Sequence, residues 1–346
     1  METILCLTHT EGDGKLPRSC LEAVATATKL QSTLGGAPLE LGILGGDVTE
    51  AASMLSGVPA RVLRVVSGPP FAASRYATDA AAVEALLRAS GATLVLAPHT
   101  PRFARVIAGV AQRFQGRVDT HVMGFSVLGG SLHVDRYYYR QRIEARLSRA
   151  QRPWLVTLES GITAPWTAAP GELRPEHVEL AEIPTRTEVK GVSCPAPDAQ
   201  TIRPEAHLLF VAGAGWTKPQ ADKRPHADEA EKLILEFLRR TNASLGGSKS
   251  LVDLTGGEAV LRFMTHMNQI GQTGSTPRHP KGLSTCCHGE EPHTVGWRFI
   301  SERRAINKDA GCGWARGKAD VLYVADAFEV IARVNALLAE ERQEKP

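Results

Sequence analysis

Residues 93–114 read TLVLAPHTPRFARVIAGVAQRF, and two periodicities meet inside that stretch. Residues 93–97 are a short aliphatic run, the pattern of a buried strand. Phe103, Val106, Ile107, Val110 and Phe114 then recur at the spacing of one helix face. Pro101 falls just inside the start of that helix, where the first turn makes no use of an N–H. Toward the N-terminus, residues 39–44 and 62–66 are similar aliphatic runs with helical patterns between them. Strand and helix alternating in this way predict a mostly parallel sheet with helices on both sides.

Beyond Gly116 the pattern turns to strands, at 118–128, 132–139 and 154–158. From Thr163 to about Pro204 the chain is rich in Pro, Ala, Thr and Glu and has little periodicity, as a connecting stretch does. A second α/β unit opens with a strand at 207–211 and the turn Gly213-Ala214-Gly215. Its first helix carries Asp228 and Glu229 early and Arg239 and Arg240 late, matching the helix dipole. Ala230, Leu233, Ile234, Phe237 and Leu238 supply the buried face of that helix. A strand at 321–324 leads into a helix with Val330, Ile331, Val334 and Leu337. The expected organisation is therefore an N-terminal Rossmann-like α/β domain (1–170), a connecting segment (171–204), a doubly wound α/β domain (205–330) and a C-terminal helix and tail (331–346).

Composition narrows the function. With 346 residues, 43% hydrophobic and 22% charged, the chain is ordinary for a globular protein of two cores. A net charge of +3 gives no footprint for nucleic acid, and no apolar run approaches the roughly 20 residues of a membrane span. Six scattered cysteines do not form a disulfide framework, and Glu2 precedes Ile4-Leu5-Cys6-Leu7 without the basic start of an export signal. A cytoplasmic setting is expected.

Four segments of the second domain carry a more specific message. They are Gly246-Gly247-Ser248-Lys249, Ile270-Gly271-Gln272-Thr273-Gly274, Ala305-Ile306-Asn307-Lys308-Asp309 and Tyr323-Val324-Ala325-Asp326-Ala327-Phe328. In this order they resemble the GASR, VGQTG, AINKD and VADLF segments of electron-transfer flavoprotein alpha subunits. That resemblance implies a bound FAD. Ser248 matches a diphosphate-binding hydroxyl, and Lys249 a positive charge near the flavin ring. Ile270, Gly271, Gln272 and Thr273 match the segment lying against the ring. His288, Gly289 and His293 fall in the loop beside the flavin carbonyl, with His293 in the place of the family's histidine. Asn307 and Asp326 match positions that hold the ribityl and adenosine parts. The physical chemistry agrees: glycines let main chain approach a ligand, and Gln and Thr side chains offer hydrogen bonds to it.

The chain also departs from the family. The glycine-rich turn written VSGGRG reads Val211-Ala212-Gly213-Ala214-Gly215-Trp216 and lacks the arginine. Lys249 replaces an arginine, keeping the charge without the planar fork. The family's AVGISGAIQH becomes residues 284–293, STCCHGEEPH. Cys286, Cys287, His288 and His293 invite a metal reading, with Cys312 a further ligand, although adjacent cysteines lack the spacing of zinc knuckles. Residues 136–140, RYYYR, followed by Arg142, Arg146 and Arg149, suit a partner-subunit interface better than single-stranded nucleic acid.

The resemblance implies an electron carrier with no substrate chemistry of its own. Its partners would be a beta subunit that often holds AMP, an electron-donating dehydrogenase, and an acceptor such as a quinone oxidoreductase. The alternatives are a flavin-free scaffold subunit of a dehydrogenase complex and a flavin- or metal-containing enzyme subunit.

Overall fold

The structure, a computed structural model, describes residues 2–138, 143–191, 202–203, 206–254, 260–271, 277–287 and 300–343. The chain divides into two compact units, Met1–Val192 and Ser193–Pro346.

In the first unit the strands are β1 (Ile4–His9), β2 (Leu39–Gly45), β3 (Leu63–Ser67), β4 (Leu94–Pro98), β5 (Arg117–Leu128), β6 (Ser131–Tyr138), β7 (Ile143–Leu147), β8 (Trp154–Leu158) and β9 (Pro175–His177). Among the described residues they form one sheet, ordered β7-β6-β5-β8-β4-β1-β2-β3-β9. Every residue of β1, β4 and β8 is buried, because both faces of this part are covered. Alternate residues serve opposite faces. Ile4, Cys6, Leu94 and Leu96 pack with Ala23, Val24, Ala27 and Leu30 of helix Arg18–Thr33. Leu5, Leu7, Val95 and Ala97 pack with Val83 and Leu86 of helix Tyr76–Ser90, and with Phe103, Val106, Ile107 and Val110 of helix Pro101–Arg113. The apolar stripe read from the sequence is thus the stripe that docks on the sheet.

β5 pairs parallel with β8 and then continues into antiparallel pairing with β6, which pairs in turn with β7. Tyr139, Arg140 and Arg142 lie outside the described residues, and the rest of the cationic stretch finds counter-charges here. Asp119, buried, accepts hydrogen bonds from Arg149 at 2.9 and 3.0 Å and from the indole N–H of Trp154 at 3.0 Å. Burial alone would raise the Asp119 carboxyl, but the Arg149 and Trp154 hydrogen bonds outweigh it and hold the group below its ordinary range. Arg146 pairs with Asp135 at 2.6 Å, and the Arg136 guanidinium lies 4.4 Å from the Tyr138 ring centre. The stretch expected to connect the domains supplies β9, which pairs parallel with β3, and then Val178, Leu180 and Ile183, which pack on the first unit.

The second unit has five strands among its described residues: β10 (Leu208–Ala212), β11 (Ser244–Gly247), β12 (Lys281–Thr285), β13 (Glu302–Asn307) and β14 (Val321–Val324). All neighbours pair parallel, in the order β11-β10-β12-β13-β14. Helices Ala227–Thr241 and Ala327–Gln343 bring Ala230, Ile234, Phe237 and Ile331 onto one face, against Phe210 and Leu245. Leu209, Val211, Ile270, Ala305 and Ala315 close the other. No helix among the described residues is long and apolar enough to cross a membrane.

Candidate functional site

From β10 the chain runs to β11 on one side and, later, to β12 on the other. Ligands of open α/β sheets bind at the carboxyl ends of the strands, beside such a reversal of strand order. The expected binding residues in the described part of the chain all lie on that edge.

At the reversal itself, two loops touch. Gly213 donates its N–H to the Thr285 carbonyl at 2.8 Å, and Gly215 donates to the Cys286 carbonyl at 3.2 Å. A Cβ on Gly213 would stand 2.2 Å from the Cys286 oxygen, so this position admits glycine because of the neighbouring loop. Cys286 has φ +55, the left-handed region that side chains other than glycine seldom occupy. Burial pushes its thiol well above the ordinary range, with Cys287 and Asp326 adding to the effect. Trp216 is fully buried, and its indole N–H donates to the Thr285 hydroxyl at 2.8 Å.

At the end of β11, Ser248 donates its N–H to the Ala212 carbonyl at 3.0 Å, and its hydroxyl accepts from the Leu251 N–H at 3.1 Å. That hydroxyl caps the short helix Lys249–Val252. Ile270, fully buried, donates its N–H to the Gly247 carbonyl at 3.1 Å, and Gly271 follows with φ +110. Ser248, Lys249, Ile270 and Gly271 are thereby gathered at one strand end. Lys249 pairs with Asp253 one helical turn on, and Asp253 also lies 3.6 Å from His266.

Three strand positions from β11, Asn307 closes β13. Its amide N–H donates to the Cys287 carbonyl at 2.9 Å, and its oxygen accepts from the Asp309 N–H at 3.0 Å. Asp326 follows β14, and one of its oxygens accepts from the Phe328 N–H at 2.8 Å, capping helix Ala327–Gln343. The other lies 2.6 Å from Lys308, whose ammonium also donates to Gln220 at 3.2 Å. Gly215, Gln220, Cys286, Asn307, Lys308 and Asp326 line a cleft of about 200 Å³.

The β11 end and the β13 end stand three strand spacings apart, about 14 Å, so a ligand reaching both must lie along the sheet edge. Gln272, Thr273, His288, Gly289 and His293 lie outside the described residues. The cleft offers two cations, Lys218 and Lys308, a carboxylate, and an amide with one N–H and one lone pair beyond its internal bonds. This donor set fits the sugar and phosphate portion of a nucleotide. Lys308 and Gln220 were not anticipated as site residues; the place of Lys308 directly after Asn307 was the available signal.

A second polar group lies at the carboxyl ends of β1, β4 and β8, and none of it was singled out from the sequence. His9, buried, lies 3.2 Å by Nδ1 from the Thr10 carbonyl and 3.0 Å by Nε2 from the Thr100 hydroxyl. His99 bonds the Thr157 hydroxyl at 2.8 Å, and its ring centre is 3.7 Å from that of His121, which meets Glu159 at 2.8 Å. Burial lowers the pKa of His9 to about 4, and burial with the charge of His121 lowers that of His99. Among the described residues no three His, Cys, Asp or Glu side chains are grouped to hold a metal ion.

The sequence profile described as the electron transfer flavoprotein domain matches residues 4–186, just over half of the chain and nearly all of the first unit. No curated protein matches the chain.

Proposed function

Because the chain belongs to the electron transfer flavoprotein family, we propose that it is the alpha subunit of a two-subunit electron carrier and holds FAD at the carboxyl edge of its second unit. One observation carries this reading. Ser248, Ile270 and Gly271 meet at one strand end, and Asn307 and Asp326 flank one cleft, on the same edge of the same sheet.

Bound FAD would supply the redox chemistry, taking up electrons from one protein and passing them to another. The chain's own residues position it. Ser248 offers its hydroxyl proton, since its oxygen already accepts from Leu251. Lys249 holds positive charge beside the ring, where a low dielectric strengthens it. Asn307 braces the Cys287 loop and turns its remaining hydrogen-bonding capacity to the ribityl chain. Asp326 presents a carboxylate to sugar hydroxyls. Gln272, Thr273, His288, Gly289 and His293 complete the proposed set around the ring. The partners in this reading are a beta subunit that carries AMP, a donor dehydrogenase and an acceptor such as a quinone oxidoreductase, in the cytoplasm.

A flavin-free scaffold subunit is the competing reading. The direct packing of Gly213 and Gly215 against Cys286, at the place where such folds open for a ligand, favours it. The visible absorbance spectrum of the complex purified from its native source decides between them. A stoichiometric flavin spectrum is expected, and a colourless complex would leave the scaffold reading standing. The chain expressed without its partner is expected to bind FAD poorly, because one small domain seldom buries so large a molecule.

A further inference from the structure

We propose that Lys308 is the cation that holds the diphosphate of the bound nucleotide, and that its ion pair with Asp326 is exchanged for the ligand on binding. This inference rests on the flavin reading above and adds a residue to it.

The glycine turn after β10 is the usual source of phosphate-binding N–H groups in α/β nucleotide folds. Here three of those groups are committed elsewhere: Gly213 to the Thr285 carbonyl, Gly215 to the Cys286 carbonyl at 3.2 Å and Trp216 to the Gly213 carbonyl at 3.3 Å. The turn also carries no cation. A diphosphate in this cleft would therefore be neutralised from beyond the turn, where Lys218 and Lys308 are the lining cations.

Lys308 is placed to do so. It follows Asn307 at the carboxyl end of β13, and its ammonium bridges the cleft mouth from Asp326 at 2.6 Å to Gln220 at 3.2 Å. Among the described lining residues, Lys218 is the other cation and Asp326 the carboxylate, so the cleft carries a surplus of positive charge. Helix Ala327–Gln343 adds the positive end of its dipole through Ala327, which also lines the cleft.

Exchange costs little and satisfies both partners. The Lys308 side chain is 54% exposed, and ion pairs in water contribute little to folding. Once Lys308 turns to a phosphate, the Asp326 oxygen it leaves can accept from a sugar hydroxyl. The second Asp326 oxygen continues to cap its helix. A single swap thus matches the two chemistries of the ligand to Lys308 and Asp326, and in the absence of ligand the pair keeps both of their charges compensated.

The test uses the full-length chain with its co-purifying subunit, stripped of flavin and titrated with FAD and separately with riboflavin, which has no phosphate. Lys308→Met should bind FAD roughly tenfold more weakly than the parent, with the gap narrowing as salt is raised. Its riboflavin affinity and thermal midpoint should be unchanged, and Lys308→Arg should restore FAD binding. Equal FAD affinity for the parent and Lys308→Met would overturn the role of Lys308 and leave the flavin reading intact. An equal loss for riboflavin would assign Lys308 to the fold of the cleft instead. Failure of the parent complex itself to bind FAD would overturn both.

Discussion

Arg102 and Asp79 form a buried ion pair, with Nη2 of Arg102 2.8 Å from Oδ1 of Asp79 and side chains only 7% and 0% exposed. Arg102 also donates to the Phe71 carbonyl at 2.6 Å, while the Ser74 hydroxyl donates to the other Asp79 oxygen at 2.8 Å. The pair ties helix Pro101–Arg113 to helix Tyr76–Ser90 with its polar atoms satisfied. Removing one member strands a charge in the core. Asp79→Ala should cost about 3–5 kcal/mol, and replacing both residues with packed apolar side chains should cost much less. Urea unfolding of the two variants and the parent measures this. A single-variant loss below about 1 kcal/mol would mean that water reaches the pair.

His9 predicts acid sensitivity. Its surroundings suit the neutral ring, with Nδ1–H donating to the Thr10 carbonyl and Nε2 accepting from the Thr100 hydroxyl. Burial lowers its pKa to about 4, against about 6.5 in an unfolded chain. As pH falls below 6.5 the unfolded chain binds the proton first. The stability present above that pH is therefore lost progressively down to about 4, at no more than about 1.4 kcal/mol per pH unit. His9→Gln should be less stable at pH 7 but should show a shallower decline between those limits. Parallel slopes for the two proteins in denaturant titrations would sink the assignment.

At Gly213 the expected effect is local. A methyl group there meets the Cys286 carbonyl oxygen at 2.2 Å and the Cys287 Cα at 2.6 Å, both main chain that cannot turn aside. Gly213→Ala should destabilise the second unit by roughly 1–3 kcal/mol while leaving the first untouched. Amide exchange resolved by segment checks this: faster exchange in β10 and β12, with β1 and β4 unchanged. Uniform protection throughout the variant would show that the loops separate freely.

Lys249 and Asp253 should act on the flavin with opposite sign. In the proposed complex, Lys249→Gln keeps FAD but removes roughly 1–3 kcal/mol of charge-assisted interaction from the reduced ring. For one electron that lowers the first potential by about 40–130 mV. Asp253→Asn should raise it, by releasing the charge that Asp253 now engages. Potentiometric titration of the three proteins tests both directions together. Identical potentials at full occupancy would remove Lys249 from the neighbourhood of the ring.

The parallel core was legible because its physics is periodic. Leu94 to Ala97 and the stripe from Phe103 to Val110 bury the same residues that their spacing marks. β9 was not legible, since all three of its residues are exposed and leave no apolar pattern; main-chain pairing with β3 and the Arg64–Glu176 ion pair at 2.8 Å position it. Gly213 and Gly215 look like a nucleotide turn in sequence, yet their smallness serves contact with Cys286, which depends on strands more than 70 residues apart. The bridge from Lys308 to Gln220 is hidden for the same reason. Asn307 and Asp326 could be picked out by resemblance, whereas their engagement by Cys287 and Lys308 belongs to tertiary structure.

β9 also bears on the margins of the first unit's sheet. At the opposite margin of its sheet, β7 turns Glu144 and Arg146 outward, charges that discourage another strand from adding on. β3 carries one charge, Arg64, already paired with Glu40 and Glu176; its Leu63, Val65 and Val66 sit in the core, and residues 175–177 occupy its hydrogen-bonding margin. A fragment cut at residue 170, where composition suggests a boundary, would bare that margin and offer each molecule a template for stacking onto the next. Carried through residue 191, the same fragment ends its sheet on a three-residue strand that opens with Pro175, a shorter template with one N–H fewer.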